Sequence, residues 1–383
     1  MLQRGDFLVT AAAGLLTLAA VASSRIGVTN VLVLAVLITA GIAIVRGRLS
    51  LVRAARPLWL PLLAFSAATV LSSALSLDPL TSAGTLHRLL VFALVPLAAV
   101  LVNGAWWPRL LTGLAAATSV LAVWGIQQYL QGANHLGHRI RGPLSHYMTY
   151  SGWLLLAVLV LLAALVLGPR RRWWWLAPAA ALGAVAIVLS LTRNAWVGLA
   201  AGVLLLAVVW RRRVLWLYPA AALALWLFFP GAVMERAVST FDLGQHANYD
   251  RMCMVVSGGQ MIRDHPWTGV GPDMVPRVYP LYRRDDAPRW RVPHLHNNPV
   301  QIAAERGIPA LIAYGWLLGA FFVAAWRRLA TGEGEGRTAA AAALVAVAGI
   351  SVAGLFEYNF WDAEIQYLTL ILMGVGMGEG EAV

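Results

Sequence analysis

Apolar runs long enough to cross a lipid bilayer recur along almost the whole chain. A helix needs about 20 mainly apolar residues to span roughly 30 Å of hydrocarbon. Twelve segments come close to this length, near residues 7–22, 28–45, 57–76, 87–103, 109–131, 147–167, 174–191, 195–210, 214–230, 307–326, 338–356 and 365–378. The pattern predicts an all-α polytopic membrane protein with about twelve transmembrane helices, forming a single membrane domain over residues 1–383.

The composition agrees with a protein whose solvent is lipid. Of the 383 residues, 60% are hydrophobic and only 12% are charged, and the mean hydropathy is +0.71. A water-soluble domain of this size needs a much more polar surface. Cys253 is the only cysteine, which excludes an intrachain disulfide and a cysteine-based zinc cluster.

The arginines predict how the helices are oriented. The net charge is +12, and all 29 basic residues are arginine. Fifteen fall in alternate connections: Arg4, Arg46, Arg48, Arg53, Arg56, Arg109, Arg170, Arg171, Arg172, Arg211, Arg212, Arg213, Arg327, Arg328 and Arg337. The opposite short connections carry only Arg25, Arg88, Arg139, Arg141 and Arg193. Short arginine-rich loops stay cytoplasmic, so both termini are predicted to be cytoplasmic. Much of the charge is thus a topology signal, and we expect no nucleic-acid partner.

One connection differs in kind from the others. Residues 231–306 form a long polar segment, predicted to be an external loop between transmembrane helices nine and ten. It holds nine arginines against eight acidic residues, so its arginines do not form a general basic field. All eight histidines of the chain map to the predicted external side or its membrane boundary, which favours a chemical role for some of them.

Two of the external arginine positions lie close to membrane helices. Arg139 and Arg141 sit two residues apart before the Gly142-Pro143 turn, where lipid headgroups are an alternative partner. Arg193 is the only charge between Arg172 and Arg211. An ionisable group so near the bilayer is a functional candidate, although an arginine that snorkels to the interface is the alternative.

The long loop supplies further candidates. Residues 251–263 are predicted to form a short amphipathic helix that presents Arg251, unless Arg251 pairs with Asp250 or another loop acid. A histidine at the mouth of a membrane cavity is suited to act as a general base because its pKa lies near ambient pH. His296 is the candidate, with a structural role as the alternative. Although His294 and His296 could chelate a metal, no carboxylate cluster lies near them in sequence, so no metal is predicted.

The last predicted external loop, residues 357–364, adds three carboxylates. They either orient the arginines or the histidine, or are simply solvated.

These residue types suit a diphosphate attached to a lipid. Arginine stays charged and offers a planar fork that matches phosphate oxygens. When a sugar–diphosphate bond breaks, negative charge grows on the leaving group, and fixed guanidinium groups stabilise that charge best where water is scarce. A histidine then deprotonates the attacking hydroxyl.

At this point the chain resembles the bacterial O-antigen ligase family. In that family a histidine and an amide or hydroxyl residue are followed by nine residues, a glycine, two residues, and then Gly, Thr or Tyr. Here His296-Asn297 is followed after nine residues by Gly307, whereas the last position is Ala310, which departs from the pattern. Thr192-Arg193 before an apolar helix is similar to the family's Ser-Arg element. The stretch from Arg251 through residues 264–272 resembles the one before the family's catalytic histidine.

The resemblance implies a membrane-embedded, GT-C-like glycosyltransferase of the bacterial inner membrane that needs no metal or other cofactor. It implies a donor glycan on undecaprenyl diphosphate and a lipid A–core acceptor on the periplasmic face. Carried over, His296 is the base, and Arg193 and Arg251 hold the diphosphate. Arg141, Arg139, Asn297 and His294 are further substrate contacts. A polysaccharide polymerase with the same donor site remains an alternative, as do a lipid-linked sugar transporter and a non-catalytic scaffold.

Overall fold

Helices, most of them apolar, make up most of the computed structural model, which describes residues 6–169, 173–216, 218–220, 223, 227, 231–239 and 244–378. The helices up to the long loop are α1 (Phe7–Val21), α2 (Ile26–Val45), α3 (Arg56–Ala74), α4 (Pro79–Ala83), α5 (Leu94–Leu101), α6 (Trp106–Leu130), α7 (Tyr147–Leu167), α8 (Leu176–Leu189) and α9 (Arg193–Val209). They are followed by α10 (Gly231–Val238), α11 (His246–Asp264), α12 (Val275–Tyr282), α13 (Asn298–Thr331), α14 (Gly334–Ala353) and α15 (Ala363–Met377). Three 3-10 helices cover Ala22–Ser24, Leu86–Ala93 and Arg212–Trp216, and a two-stranded hairpin joins β1 (Asn134–His135) to β2 (His138–Arg139).

The predicted class, an all-α polytopic membrane protein, is confirmed. Within the described residues, eight helical stretches are long and apolar enough to cross a membrane: Phe7–Ser24, Ile26–Val45, Arg56–Ala74, Pro79–Leu101, Trp106–Leu130, Tyr147–Leu167, Asn298–Thr331 and Gly334–Ala353. Three shorter apolar helices, α8, α9 and α15, coincide with further predicted spans. Most of the predicted span at 214–230 lies outside the described residues, as do Arg4 and residues 170–172 of the orientation argument. The count of twelve therefore stays a prediction.

The middle of the bundle is built on α7 and α14. Nearly every residue of α7 from Thr149 to Ala164 is buried, as expected of a helix that is apolar all round. It packs against α6, α8 and α14, and α14 also packs against α9. A side chain at Gly198 of α9 would meet the carbonyl oxygen of Gly349 at 2.6 Å. Small residues thus let these two backbones approach closely, as is common between membrane helices.

The long polar segment has a small core of its own and is fastened to the bundle. Met254, Met261, Val270, Val275 and Leu295 belong to a buried apolar cluster separate from that of the bundle. The segment is tied to α13 by the backbone hydrogen bond from Val270 N to Ala304 O, 2.8 Å long. It is tied to the end of α3 by the bond from Leu77 N to Val270 O. These ties fix the segment at one end of the bundle, which we call the polar end and which comprises residues 134–146, 190–193, 231–239, 244–306 and 354–362.

Helix α13 begins earlier than the sequence pattern predicts. The predicted span starts at residue 307, whereas the helix starts at Asn298, where the side chain of Asn297 accepts from Val300 N at 2.9 Å. Gly307 breaks the helix with φ 77° and ψ 171°. The helical turns before the break are buried and polar, so hydropathy alone assigns them to the loop. They bring the residues around His296 against the bundle.

Candidate functional site

His296 and Glu357 form a buried pair at the polar end. The Nδ1 atom of His296 lies 2.7 Å from Oε2 of Glu357, and the side chains are 9% and 8% exposed. The carboxylate accepts the Nδ1 proton, which leaves Nε2 of His296 with a free lone pair, the form that a general base requires. One of the two sequence alternatives for the last loop, orientation of the histidine, is what the structure shows for Glu357.

The backbone around His296 is held in one conformation by amide side chains. His296 itself adopts φ 51°, a left-handed conformation that costs energy for a residue other than glycine and asparagine. Asn297 donates from Nδ2 to Leu355 O at 2.8 Å. Oδ1 of the buried Asn298 accepts from Asn359 N at 3.0 Å. The segment that carries His296 is thus bonded directly to the α14–α15 connection that carries Glu357.

His294 completes a cluster of two histidines around one carboxylate. Its Nε2 lies 3.4 Å from Oε1 of Glu357, and its ring lies 4.3 Å from that of His296. Burial lowers the pKa of His294 to about 4, against the opposing effect of Glu357. His294 is therefore neutral at neutral pH. Burial opposes ionisation of Glu357, but the interaction with His296, above all its hydrogen bond, outweighs burial and lowers the pKa of Glu357, with a smaller contribution from the charge of Arg251.

Arg193 is buried beneath the polar segment and does not snorkel to a lipid interface. It is the first residue of α9 and is 5% exposed. Its Nη1 donates to Ser239 O and to Oε1 of Gln245, both at 2.7 Å, and its Nη2 donates to Oδ1 of Asn248. All of these acceptors are neutral. They fix the direction of the guanidinium group without cancelling its charge.

Arg193 belongs to a group of four arginines. Arg139, Arg236 and Arg251 lie close enough to it for their charges to interact. Burial first, and the charges of the other three second, lower the pKa of Arg236 to about 10. Arginine still remains charged at neutral pH. Four like charges held together favour an anion between them, and we call Arg139, Arg193, Arg236 and Arg251 the arginine cluster.

Arg251 does not pair with its neighbour Asp250. That carboxylate is bound instead by Arg289, so the structural alternative raised from the sequence does not hold for this pair. Arg251 lies on α11, a longer helix than the predicted 251–263, and is half-buried. Within the described part of the chain it forms no hydrogen bond or ion pair, although its charge reaches Glu357. Its guanidinium group is thus available to a ligand next to the His296–Glu357 pair.

The hairpin places its two arginines differently. The Arg139 guanidinium lies over the ring of Tyr147, 4.3 Å from its centroid, and belongs to the arginine cluster. Arg141 is exposed and donates from Nη1 to Ser145 O at 3.0 Å. Its charge acts on His146, whose pKa is lowered first by burial and then by neighbouring positive groups including Arg139 and Arg141. Of the two arginines, Arg139 is therefore the better placed to contact an anion held by Arg193.

The two histidines and Glu357 are also candidate metal ligands, although no carboxylate lies near His294 and His296 in the sequence. One ligand atom from each of His294, His296 and Glu357 lies within 4.8 Å of the others. The 2.7 Å contact between His296 and Glu357 has the length of a hydrogen bond. A cation bound there would have to replace the proton of His296.

Sequence reasoning missed two members of this arrangement. Glu357 was one of three candidate carboxylates, and nothing in the sequence distinguishes it from Asp362 or Glu364. Arg236 follows Glu235 directly, so a local ion pair is the simplest interpretation of the sequence. In the structure Glu235 is exposed, whereas Arg236 is 6% exposed and donates to Gln245 Oε1 at 3.4 Å.

The fold and the site together define a polytopic membrane protein with a buried histidine–carboxylate pair beside an arginine cluster. Residues 178–315 match the family model described as O-Antigen ligase. The match shows that this part of the chain is similar to O-antigen ligases, in agreement with the predicted resemblance. It implies a glycosyltransferase-like enzyme of the ligase or polymerase type. No curated protein matches the chain.

The matched segment holds only part of the site. It contains Arg193, Arg236, Arg251 and the 294–297 segment, whereas Arg139 and Glu357 lie on either side of it. The fold therefore completes the site from the α6–α7 and α14–α15 connections.

Proposed function

We propose that this protein is an O-antigen ligase of the bacterial inner membrane. It transfers a glycan from undecaprenyl diphosphate to a hydroxyl group of a lipid A–core acceptor on the periplasmic face. The observation that carries the proposal is the buried His296–Glu357 pair next to an arginine cluster in which Arg193 is held by neutral hydrogen-bond acceptors.

The donor diphosphate binds at the arginine cluster. Arg193 is held in place by neutral acceptors, and Arg251 keeps its guanidinium group free of other partners among the described residues. Arg139 and Arg236 add charge, while Arg141, Asn297 and His294 contact the substrates from the rim. Bidentate guanidinium–phosphate contacts are among the strongest charge-assisted hydrogen bonds in proteins.

The transfer needs one proton movement and one bond exchange. Nε2 of His296 takes the proton of the acceptor hydroxyl while the hydroxyl oxygen attacks the anomeric carbon of the donor glycan. The bond from that carbon to the diphosphate oxygen breaks, and undecaprenyl diphosphate leaves with the electron pair. Glu357 stabilises the imidazolium that forms, and the arginine cluster stabilises the charge on the leaving group.

The test is a transfer assay in a purified system. Undecaprenyl-diphosphate-linked glycan and lipid A–core are incubated with the wild-type protein, and the products are identified by mass. We expect ligation with the wild type and a fall of at least about 100-fold in His296→Ala, because a positioned base contributes this much or more. His135→Ala, at an exposed position of β1, is the matched control and keeps full activity. Wild-type activity in His296→Ala would remove the base from the mechanism.

A polymerase is the second candidate because Ala310 departs from the ligase pattern. Ala310 is fully buried in α13. In a polymerase the acceptor is a second lipid-linked glycan, and the donor chemistry is the same. A ladder of lengthening glycans made from the donor alone, with no product on lipid A–core, decides for polymerisation.

A further inference from the structure

A buried ion pair lies directly before the break in α13 at Gly307. Nη1 of Arg306 donates to Oε2 of Glu305 at 2.7 Å, and the two side chains are 0% and 2% exposed. The cost of removing two charges from water largely offsets their attraction, so a buried pair of this kind contributes little to stability. Its place at the polar end, in the helical turns that follow His296, points to a role in the geometry of the site.

The Glu305 half of the pair is fixed to two neighbouring elements. Its Oε1 accepts from the backbone N of Asp273, in the polar segment, at 3.0 Å. Its backbone carbonyl oxygen accepts from Oγ of Ser72, near the end of α3, and from the backbone N of Gly271, both at 2.9 Å. Glu305 is therefore fixed relative to α3 and to the polar segment, and Arg306 is held against it.

The Arg306 half of the pair reaches across to the α14–α15 connection, which carries Glu357. Its Cζ lies 4.4 Å from the centroid of the Trp361 ring, and its Nη1 lies 3.4 Å from the hydroxyl oxygen of Tyr358. Cation–π contacts gain strength where water is excluded, and Arg306 and Trp361 are both buried. Nε and Nη2 of Arg306 have no hydrogen-bond partner among the described residues, so the ring contact and the two bonds of Nη1 are what hold the guanidinium group.

Tyr358 connects these contacts to the carboxylate that faces His296. The backbone N of Tyr358 donates to Oε1 of Glu357 at 3.1 Å, which leaves Oε2 to accept from Nδ1 of His296 at 2.7 Å. The ring of Tyr358 also lies beside that of His294, with 5.9 Å between the centroids. Because a hydrogen bond weakens steeply as its angle departs from linear, a small movement of Tyr358 would weaken the bond between the carboxylate and the histidine.

We infer that Arg306 is a positioning residue for the proposed base. It holds Tyr358 and Trp361 in place, and the anchored carboxylate before it keeps Arg306 itself in place. Through these contacts it fixes the Glu357 carboxylate against His296. The inference rests on the proposed function, since it concerns the same proton transfer. Arg306 acts on the rate of that step and not on substrate binding, because its contacts are with the loop that carries the carboxylate and not with the arginine cluster.

The test removes the ion pair without leaving an unpaired charge. Arg306→Ala would strand the Glu305 carboxylate in a buried position and destabilise the fold, so both side chains are replaced in the double variant Glu305→Gln/Arg306→Met. We expect kcat to fall about tenfold, which is part of the contribution of at least about 100-fold that a positioned base makes. The KM values of donor and acceptor stay unchanged. Arg306→Lys, which keeps a cation beside Glu305, recovers part of the rate.

A second comparison shows whether the effect passes through Glu357. In a Glu357→Gln background the double variant should lower kcat by less than about twofold, because the group through which Arg306 acts has already lost its charge. Substitutions that act through a shared partner are non-additive, whereas independent ones add. Equal falls in kcat in the two backgrounds overturn the inference.

A spectroscopic readout does not depend on turnover. A proton in a hydrogen bond of 2.7 Å between imidazole and carboxylate gives a downfield proton NMR signal, which His296→Ala identifies by its loss. We expect this signal to move upfield in the double variant and to stay in place in Arg328→Met. Arg328 is the matched control because it also lies on α13 and bonds a neighbouring helix, donating to Val375 O at 2.7 Å, but it lies at the opposite end of α13.

The outcomes separate the inference from the proposed function. A signal that stays in place while the melting temperature of the double variant falls gives Arg306 a structural role only and overturns the inference. If the double variant does not fold, Tyr358→Phe removes one contact alone, and an unmoved signal there has the same meaning. A wild type that transfers no glycan overturns the proposed function, and the signal still decides whether Arg306 positions the His296–Glu357 pair.

Discussion

Glu357 accepts a hydrogen bond from His296 across 61 positions of sequence, and Oε2 lies 2.7 Å from Nδ1. The partners come from different loops, which are tied together by Asn298 and Asn359. A buried carboxylate in this position fixes the tautomer of the imidazole and stabilises its charged form. Glu357 is thus a positioning residue for the proposed base.

Replacement of Glu357 tests this role. We expect Glu357→Ala to lower kcat by about 100-fold with little change in either KM. Glu357→Asp recovers part of the rate. Glu357→Gln keeps an acceptor for Nδ1 but loses the charge, so its acid limb in the pH–rate profile moves to lower pH. If Glu357 had only a structural role, its replacement would change the melting temperature and leave the acid limb of the pH–rate profile unchanged.

His294 predicts a specific dependence of stability on pH. Its pKa is about 4 in the folded protein and 6.5 in a free histidine. Between about pH 6.5 and 4, His294 is therefore protonated in the unfolded chain but stays neutral in the folded protein. The contribution of the neutral His294 side chain to the free energy of unfolding is fully present above about pH 6.5 and is lost as the pH falls towards about 4. We expect melting temperatures to fall between pH 6.5 and 4, and the fall to be shallower in His294→Asn. Parallel curves for the two proteins would contradict this.

Substitutions of Arg251 and Arg193 are expected to affect activity and stability differently. Arg251 has no partner in the described residues, so Arg251→Ala should lose donor affinity or rate by about 100-fold with an unchanged melting temperature. Arg193 joins α9 to Ser239, Gln245 and Asn248. Arg193→Ala should therefore lose both activity and stability.

The control for these variants is Arg284→Ala. Arg284 forms an exposed ion pair with Asp286, and exposed pairs contribute little. Binding of the diphosphate donor, measured without acceptor, separates the variants. If donor binding and the transfer rate were both unchanged in Arg251→Ala, the diphosphate would have to bind elsewhere.

The class of fold could be predicted from the sequence, and so could those site residues that are isolated among apolar neighbours in the sequence. Apolar length alone predicts the spans, and Arg193 stands out because no other charge lies near it. The position of Glu357 depends on how two loops meet, and local pattern carries no signal for that. The turns before Gly307 are helical but polar, so hydropathy places the start of α13 nine residues too late.

Metal removal tests whether His294, His296 and Glu357 act through a shared proton or through a bound metal ion. If His296 acts through a proton shared with Glu357, activity persists after chelation with EDTA. Added Zn²⁺ should inhibit, because bound metal displaces that proton, and His294→Ala should weaken the inhibition by removing one of three ligands. Loss of activity on chelation, restored by a divalent cation, would instead make the cluster a metal site.

Gly307 tests whether the break in α13 positions the site. At φ 77° a side chain is strained, and a Cβ there would meet the carbonyl oxygen of Trp267 at 2.3 Å. We expect Gly307→Ala to lower stability by about 1–3 kcal/mol, and to lower activity because residues 298–306 move relative to Glu357. Gly315→Ala is the matched control, since it lies in the same helix with open space around it. Equal melting temperatures and equal rates for the two variants would show that the break serves neither stability nor the geometry of His296.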